Sequence, residues 1–135
     1  MEKMKVLIAD DNKKFLKSLK FFIENFKDTE LIGQATNGTE AVEMARVLNP
    51  DIVIMDIEMP GLNGIEATKK ILWKNRDIKI IAISSFTDSA YLTELLGTGF
   101  KAFISKNNLA REFNLALREV IEGKFYFPEN VKISK

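Results

Sequence analysis

The chain of 135 residues has the length of one compact domain, and its hydrophobic content of 46% is enough to form a core. Its 20 Lys and Arg residues nearly balance its 19 Asp and Glu residues, so a net charge of +1 gives no overall field that attracts nucleic acid or a membrane, and any basic patch must be local. Cysteine and histidine are absent, which excludes disulfides, thiolate metal sites and imidazole chemistry and leaves carboxylates, hydroxyls, lysine and backbone groups.

Short apolar segments rich in β-branched residues alternate along the chain with longer segments of helical period, a pattern typical of repeated strand and helix units. The predicted strands are residues 5–9, 31–35, 52–55, 79–83 and 102–104. The apolar stripes predict helices at about 15–26, 41–48, 64–74, 89–96 and 109–122. This alternation predicts an α/β fold with a doubly wound five-stranded parallel sheet of order 2-1-3-4-5, flanked by five helices.

The two ends of the chain differ from the alternating segments between them. Residues 1–5 lead into an apolar segment too short for a signal peptide or a membrane span, so a soluble cytoplasmic protein without membrane contact is expected. Residues 1–123 are predicted to form the domain, with Gly123 ending the last helix. Residues 124–135 form a tail, either an aromatic segment folded back on the domain or the start of a linker.

Polar side chains follow four of the predicted strands. Ligands of an open parallel sheet bind beyond the carboxyl ends of its strands, near the point where the winding direction reverses. The residues at those ends are Asp10, Asp11, Asp56, Ser84 and Lys106. Strands one and three are neighbours in the predicted order, about 4.8 Å apart, so the three carboxylates should converge on one small ion. An oxygen-only cluster favours Mg²⁺ or Mn²⁺ over zinc.

Each of these residues taken alone has a simpler interpretation. The pair Asp10 and Asp11 fits a helix cap, Asp56 a turn, Ser84 a cap of the fourth helix, and Lys106 a solvated surface charge. Together they favour a functional site, because four strand ends carry on one edge the groups that phosphoryl transfer requires.

Four segments of the chain resemble the receiver domain of bacterial response regulators, over residues 3–123. They are the opening strand with its acidic pair (MKVLIADDN), the loop around the phosphorylated aspartate (IMDIEMPGLNG), the fourth strand (IIAISS) and the fifth strand with its lysine (GFKAFISK). The resemblance implies a two-component signalling domain that switches conformation to control an output, most often transcription.

The resemblance also implies a role for each site residue. Asp56 would be the phosphoacceptor, a carboxylate nucleophile that forms an acyl phosphate. Asp11, Asp56 and the backbone carbonyl of Glu58 would bind Mg²⁺ directly, and Asp10 would act through water. Such a domain catalyses only its own phosphorylation and dephosphorylation and is not an enzyme in the usual sense.

The remaining implied roles concern the phosphoryl group and the switch. Lys106 would pair with one phosphoryl oxygen, and the Ser84 hydroxyl would donate to another. The implied donor is a sensor histidine kinase or a small phosphodonor such as acetyl phosphate. Phe103 stands where the family has an aromatic residue that swings inward on activation, and its other interpretation is plain core packing. Phosphorylation would also promote a homodimer.

Three features depart from the family pattern or extend beyond it. Asn107 follows Lys106 where many receivers have a proline in a cis peptide, so a trans peptide is expected here. Glu58 and Phe86 occupy positions that tune acyl phosphate hydrolysis in the family. Residues 122–129 are similar to the junction before the helix-turn-helix domain of LuxR-type regulators, so DNA would be contacted only through an output domain absent from this chain.

Two other function classes remain open from the residues alone. A flavodoxin-like binding module would use the same sheet edge for a phosphorylated ligand or nucleotide, but its loop after strand one would be rich in glycine, whereas here that loop is acidic. A degenerate receiver that only mediates contacts would lack an acidic residue or the lysine, and none is missing.

Overall fold

The computed structural model describes residues 2–85 and 89–127, and for residues 89–93 it describes the backbone alone. Five parallel strands form one sheet of order β2-β1-β3-β4-β5, which is the predicted order. The strands are β1 (Met4–Ala9), β2 (Thr29–Ala35), β3 (Ile52–Asp56), β4 (Lys79–Ser84) and β5 (Ala102–Ser105). Each predicted strand is confirmed, with bounds one or two residues longer.

In the described residues, four α-helices connect the strands and a fifth follows β5, which is the predicted number. They are α1 (Lys13–Glu24), α2 (Gly38–Leu48), α3 (Gly64–Lys74), α4 (Ser89–Thr98) and α5 (Leu109–Ile121). Asparagine side chains begin three of them, because Asn12, Asn37 and Asn63 each accept a hydrogen bond from a backbone N–H of the first turn. The predicted first helix was two residues too long at its end, where Asn25 caps α1 instead of continuing it.

Two apolar layers lie on opposite faces of the sheet. Alternate residues of β1 and β3 point to different layers, with Leu7 and Val53 facing α2 and α3, and Val6 and Ile52 facing α1 and α5. Every residue of β3 is buried because both of its faces are covered. The continuous apolar sequences of the central strands follow from this double burial.

The described part of the tail folds back against β5. The Tyr126 N–H donates to the carbonyl of Lys101 at 3.0 Å, and the Phe103 N–H donates to the carbonyl of Tyr126 at 3.0 Å. The Tyr126 hydroxyl also donates to Glu112 of α5 at 2.6 Å, and Phe127 packs on the apolar layer of α2 and α3. Residues 128–135 lie outside the described ranges, so the expected boundary at residue 123 stays a prediction. Within the described ranges no helix combines the length and apolarity needed to cross a membrane.

Candidate functional site

Three carboxylates meet at the carboxyl ends of β1 and β3. Ala9 pairs with Met55 in the sheet, so the residues that follow them, Asp10 and Asp56, lie side by side. Carboxylate oxygens of Asp10, Asp11 and Asp56 all lie within 4.8 Å of one another. Asp10 and Asp56 are buried, whereas Asp11 is exposed at the mouth of the cluster. The predicted convergence of these residues is therefore confirmed.

The loop after β1 leaves its carboxylates available to a ligand. Asn12, and not the acidic pair, caps α1, because its side chain accepts from the N–H groups of Lys14 and Phe15 at 2.9 and 3.2 Å. Asp10 Oδ1 accepts from the Asn12 N–H at 2.8 Å, which fixes the orientation of that carboxylate. The helix-cap interpretation of Asp10 and Asp11 is thus wrong for this chain.

The loop between β3 and α3 holds Asp56 from the other side. Asp56 Oδ1 accepts from the Glu58 N–H at 3.1 Å, and the Gly64 N–H donates to the Ile57 carbonyl at 3.1 Å. Helix α3 begins so close to β3 that a Cβ atom on Gly64 would lie 2.3 Å from the Asp56 carbonyl oxygen. Glycine is therefore required at residue 64 to keep this loop packed against the strand.

Lys106 joins two of the carboxylates. Its ammonium lies 2.9 Å from Asp10 Oδ2 and 3.4 Å from Asp56 Oδ2, and only 15% of its side chain is exposed. The ammonium also lies 4.4 Å from the centre of the Phe15 ring, a cation–π contact that the sequence did not indicate. The Lys106–Asn107 peptide bond is trans, as expected. Lysine thus reaches the cluster without the cis peptide that proline would favour.

The electrostatics of the site favour an additional cation. Burial and the neighbouring charge of Asp10 raise the pKa of Asp56 to about 7, against the lowering effects of the Glu58 N–H and Lys106. Burial lowers the pKa of Lys106, but its contacts with Asp10 and Asp56 outweigh burial and leave that pKa raised. One ammonium therefore contacts two members of a cluster of three carboxylates, and the mutual repulsion of the carboxylates is only partly relieved.

The donor set fits a divalent cation. Asp10 Oδ2 is buried and, although an ammonium lies near it, it accepts no hydrogen bond of good geometry. An oxygen in that state, beside the oxygens of Asp11 and Asp56, offers a hard all-oxygen ligand set, which suits Mg²⁺ or Mn²⁺.

Ser84 ends β4 with its hydroxyl engaged by a residue from the neighbouring loop. The buried Ser84 hydroxyl donates to one carboxylate oxygen of Glu58, and the Ser85 N–H donates to the other at 3.1 Å. The sequence suggested a role for the Glu58 backbone and missed this role of its side chain. The register of β3 and β4, which pairs Asp56 with Ile83, brings Glu58 to Ser84 and was not readable from the sequence.

The structure describes Phe103, the aromatic residue predicted for the switch, but not Phe86, which was predicted to tune acyl phosphate hydrolysis. Phe103 lies on β5, is 2% exposed and packs within the apolar layer of α2 and α3. This burial agrees with core packing of the ring. Phe86 lies outside the described residues.

The sequence matches a known family and curated relatives. The model of the response regulator receiver domain family matches residues 6–118. The response regulator GacA of Pseudomonas syringae pv. syringae is 33% identical over 128 residues, which cover 95% of this chain and 60% of that relative. The transcriptional regulatory protein LiaR of Bacillus subtilis is 36% identical over 121 residues, covering 90% and 57%. The chain spans about three fifths of the length of these relatives.

Solved structures give the same result for the fold. The response regulator domain of CheB from Thermotoga maritima superposes with a TM-score of 0.76 at 38% identity, covering 90% of this chain and 93% of that domain. The isolated receiver domain of RcsB from Salmonella enterica serovar Typhimurium, solved with the phosphomimetic BeF₃⁻, gives a TM-score of 0.89 at 25% identity, covering 96% of both chains.

Proposed function

We propose, because the chain belongs to the family of response regulator receiver domains of two-component systems, that Asp56 is its phosphoacceptor. An Asp56 oxygen attacks phosphorus as the bond from phosphorus to the donor breaks, and the bonding electrons leave with the donor. A phosphohistidine of a sensor kinase or acetyl phosphate serves as donor, and water later hydrolyses the acyl phosphate. The observation that supports this most is the Lys106 ammonium lying between Asp10 and Asp56 inside the acidic cluster.

The metal in this proposal is Mg²⁺, or Mn²⁺ in its place. Asp11, Asp56 and the backbone carbonyl of Glu58 would hold it directly, and Asp10 through a water molecule. The ion supplies charge neutralisation for the incoming phosphoryl group. Asp10 and Asp11 are the residues that make the site attractive to a cation, since one is buried with a single ammonium beside its Oδ2 and the other is open to solvent.

Lys106 and Ser84 act on the phosphoryl group itself. The Lys106 ammonium, already 3.4 Å from Asp56 Oδ2, pairs with a phosphoryl oxygen as negative charge builds up there. The Ser84 hydroxyl has to leave Glu58 to donate to a second phosphoryl oxygen, so the end of β4 at Ser84 and Ser85 shifts with it. Phe103, buried on the adjacent strand β5, is the second residue assigned to the switch.

The output of the switch is inferred from the relatives. GacA is named a response regulator and LiaR a transcriptional regulatory protein. We infer that this domain also controls transcription, through an output domain that contacts DNA, with residues 124–135 as the tail or the start of the linker. Phosphorylation would promote a homodimer, and the protein would act in the cytoplasm.

Intact mass spectrometry tests the phosphoacceptor. Wild type, Asp56→Asn and the control Asp77→Asn are each incubated with Mg²⁺ and acetyl phosphate; Asp77 is exposed in the loop before β4. We expect the mass of one added phosphoryl group on wild type and Asp77→Asn, and none on Asp56→Asn or on wild type in EDTA. An equal adduct on Asp56→Asn, or none on wild type, would refute the assignment.

A further inference from the structure

A second surface with the character of a binding site lies far from the acidic cluster. A groove of about 810 Å³ runs between α2 and α3, with apolar walls from Val42, Ala45, Ile71 and Ile78. Asn75 and Asn49 close one end, where the Asn75 amide donates to Asn49 at 3.0 Å. We call this surface the α2–α3 groove. It adjoins the residues that precede β3 and β4, whereas the carboxylates lie where the strands end.

Trp73 stands at the edge of the α2–α3 groove with 79% of its surface exposed. A smaller depression of about 350 Å³ flanks the same indole on its other side. Large aromatic side chains contribute much of the binding energy where proteins meet, so leaving one in water is costly unless a partner covers it. The indole is therefore placed to be an anchor for a ligand.

The rim of the α2–α3 groove is basic, although the whole chain is nearly neutral. Arg46, Lys69, Lys70 and Lys74 line it, and no carboxylate does. Arg46 pairs with Glu43 and Lys69 with Glu66, but within the described ranges no ion pair engages Lys70 or Lys74. The rim of the groove is thus a local basic patch on a chain whose net charge is only +1.

We propose that the α2–α3 groove binds an acidic amphipathic helix of a partner protein. Lys70 and Lys74 are four residues apart on one helix face, the same spacing at which a second helix presents glutamates. The apolar walls and Trp73 would take the leucine-type side chains of that helix. A second copy of this chain fits poorly, because a symmetric contact would bring the same cations together. This inference does not depend on the proposed phosphorylation, since the groove and Asp56 lie at opposite ends of β3.

Trp73 is the single tryptophan of the chain, so tryptophan fluorescence reports on the surroundings of its indole. Lys70 and Lys74 line the groove and not the smaller depression, so their reversal assigns the signal to the groove. The probe is a synthetic helical peptide of repeated Leu-Glu-Glu-Leu-Ala-Glu-Gln units, titrated at low salt into the full chain. We expect a saturable blue shift of the emission. The reversal Lys70→Glu with Lys74→Glu should weaken binding about tenfold. The matched reversal Lys13→Glu with Lys17→Glu, of two exposed lysines equally spaced on α1, should leave it unchanged.

The controls separate this groove from general charge attraction. A peptide with serine in place of leucine should not bind, and Asp56→Asn should bind the original peptide as wild type does. Equal binding of the serine peptide, or equal weakening by the α1 reversal, would overturn the proposal. A blue shift with duplex DNA or anionic vesicles in place of the peptide would overturn it as well. Circular dichroism checks that each variant is folded. Trp73→Ala removes the fluorophore, so its binding is measured by the anisotropy of a labelled peptide. Loss of binding by a folded Trp73→Ala variant would support the proposal.

Discussion

Asp56→Asn removes a carboxyl group that is difficult to ionise because it is buried. The pKa of Asp56 is raised from 3.8 to about 7 in the folded chain. A carboxyl with a raised pKa stabilises the fold below its unfolded pKa, and this contribution is lost as pH rises through the folded value. Wild type without metal should therefore lose stability between about pH 4 and pH 8, and Asp56→Asn should lose less.

The magnitude follows from the shift. Three pKa units correspond to about 4 kcal/mol, and screening by solvent and coupling to Asp10 reduce this to roughly 2 kcal/mol. Urea unfolding in EDTA at pH 5 and pH 8 measures the difference for wild type, Asp56→Asn and Asp77→Asn. We expect Asp56→Asn to gain about 2 kcal/mol over wild type at pH 8 and much less at pH 5, with Asp77→Asn following wild type. Parallel pH profiles of wild type and Asp56→Asn would refute the reasoning.

Four further outcomes are expected. Mg²⁺ should restore much of the stability that wild type loses at pH 8, and a urea midpoint unmoved by Mg²⁺ would contradict the donor set. Gly64→Ala should destabilise by about 2 kcal/mol or more because its Cβ meets the Asp56 carbonyl, whereas Gly97→Ala, with open space around it, should not. Tyr126→Phe should lower thermal stability by about 1 kcal/mol through loss of the bond to α5, and an unchanged melting temperature would refute this. Glu58→Ala should speed phosphorylation by acetyl phosphate several-fold by releasing Ser84, whereas a slower reaction would show that Glu58 assists it.

The fold and the acidic cluster were predictable because they follow from simple periodicities and one topological rule. Buried parallel strands need apolar residues on both faces, so β3 and β4 stand out in the sequence. The order of the sheet then places the residues after β1 and β3 at one edge. Asp10, Asp11 and Asp56 meet there for that reason.

Contacts between side chains of different loops were not predictable in the same way. The bond from Ser84 to Glu58 depends on the register of two strands and on the rotamers of both residues. Pairing of Tyr126 with β5 depends on how the chain turns after α5, and nothing in the aromatic tail sequence specifies that turn. The exposure of Trp73 was not predictable either, because an aromatic residue in an amphipathic helix is normally expected to be buried.

Locating the phosphoryl group on the chain tests the central claim most directly. Wild type is phosphorylated with acetyl phosphate and Mg²⁺, reduced with borohydride, which converts an aspartyl phosphate to homoserine, and sequenced by tandem mass spectrometry. We predict homoserine at residue 56 and unmodified aspartate at residues 10 and 11. Homoserine at residue 10 or 11, or phosphate retained on a serine after reduction, would contradict the assignment of Asp56.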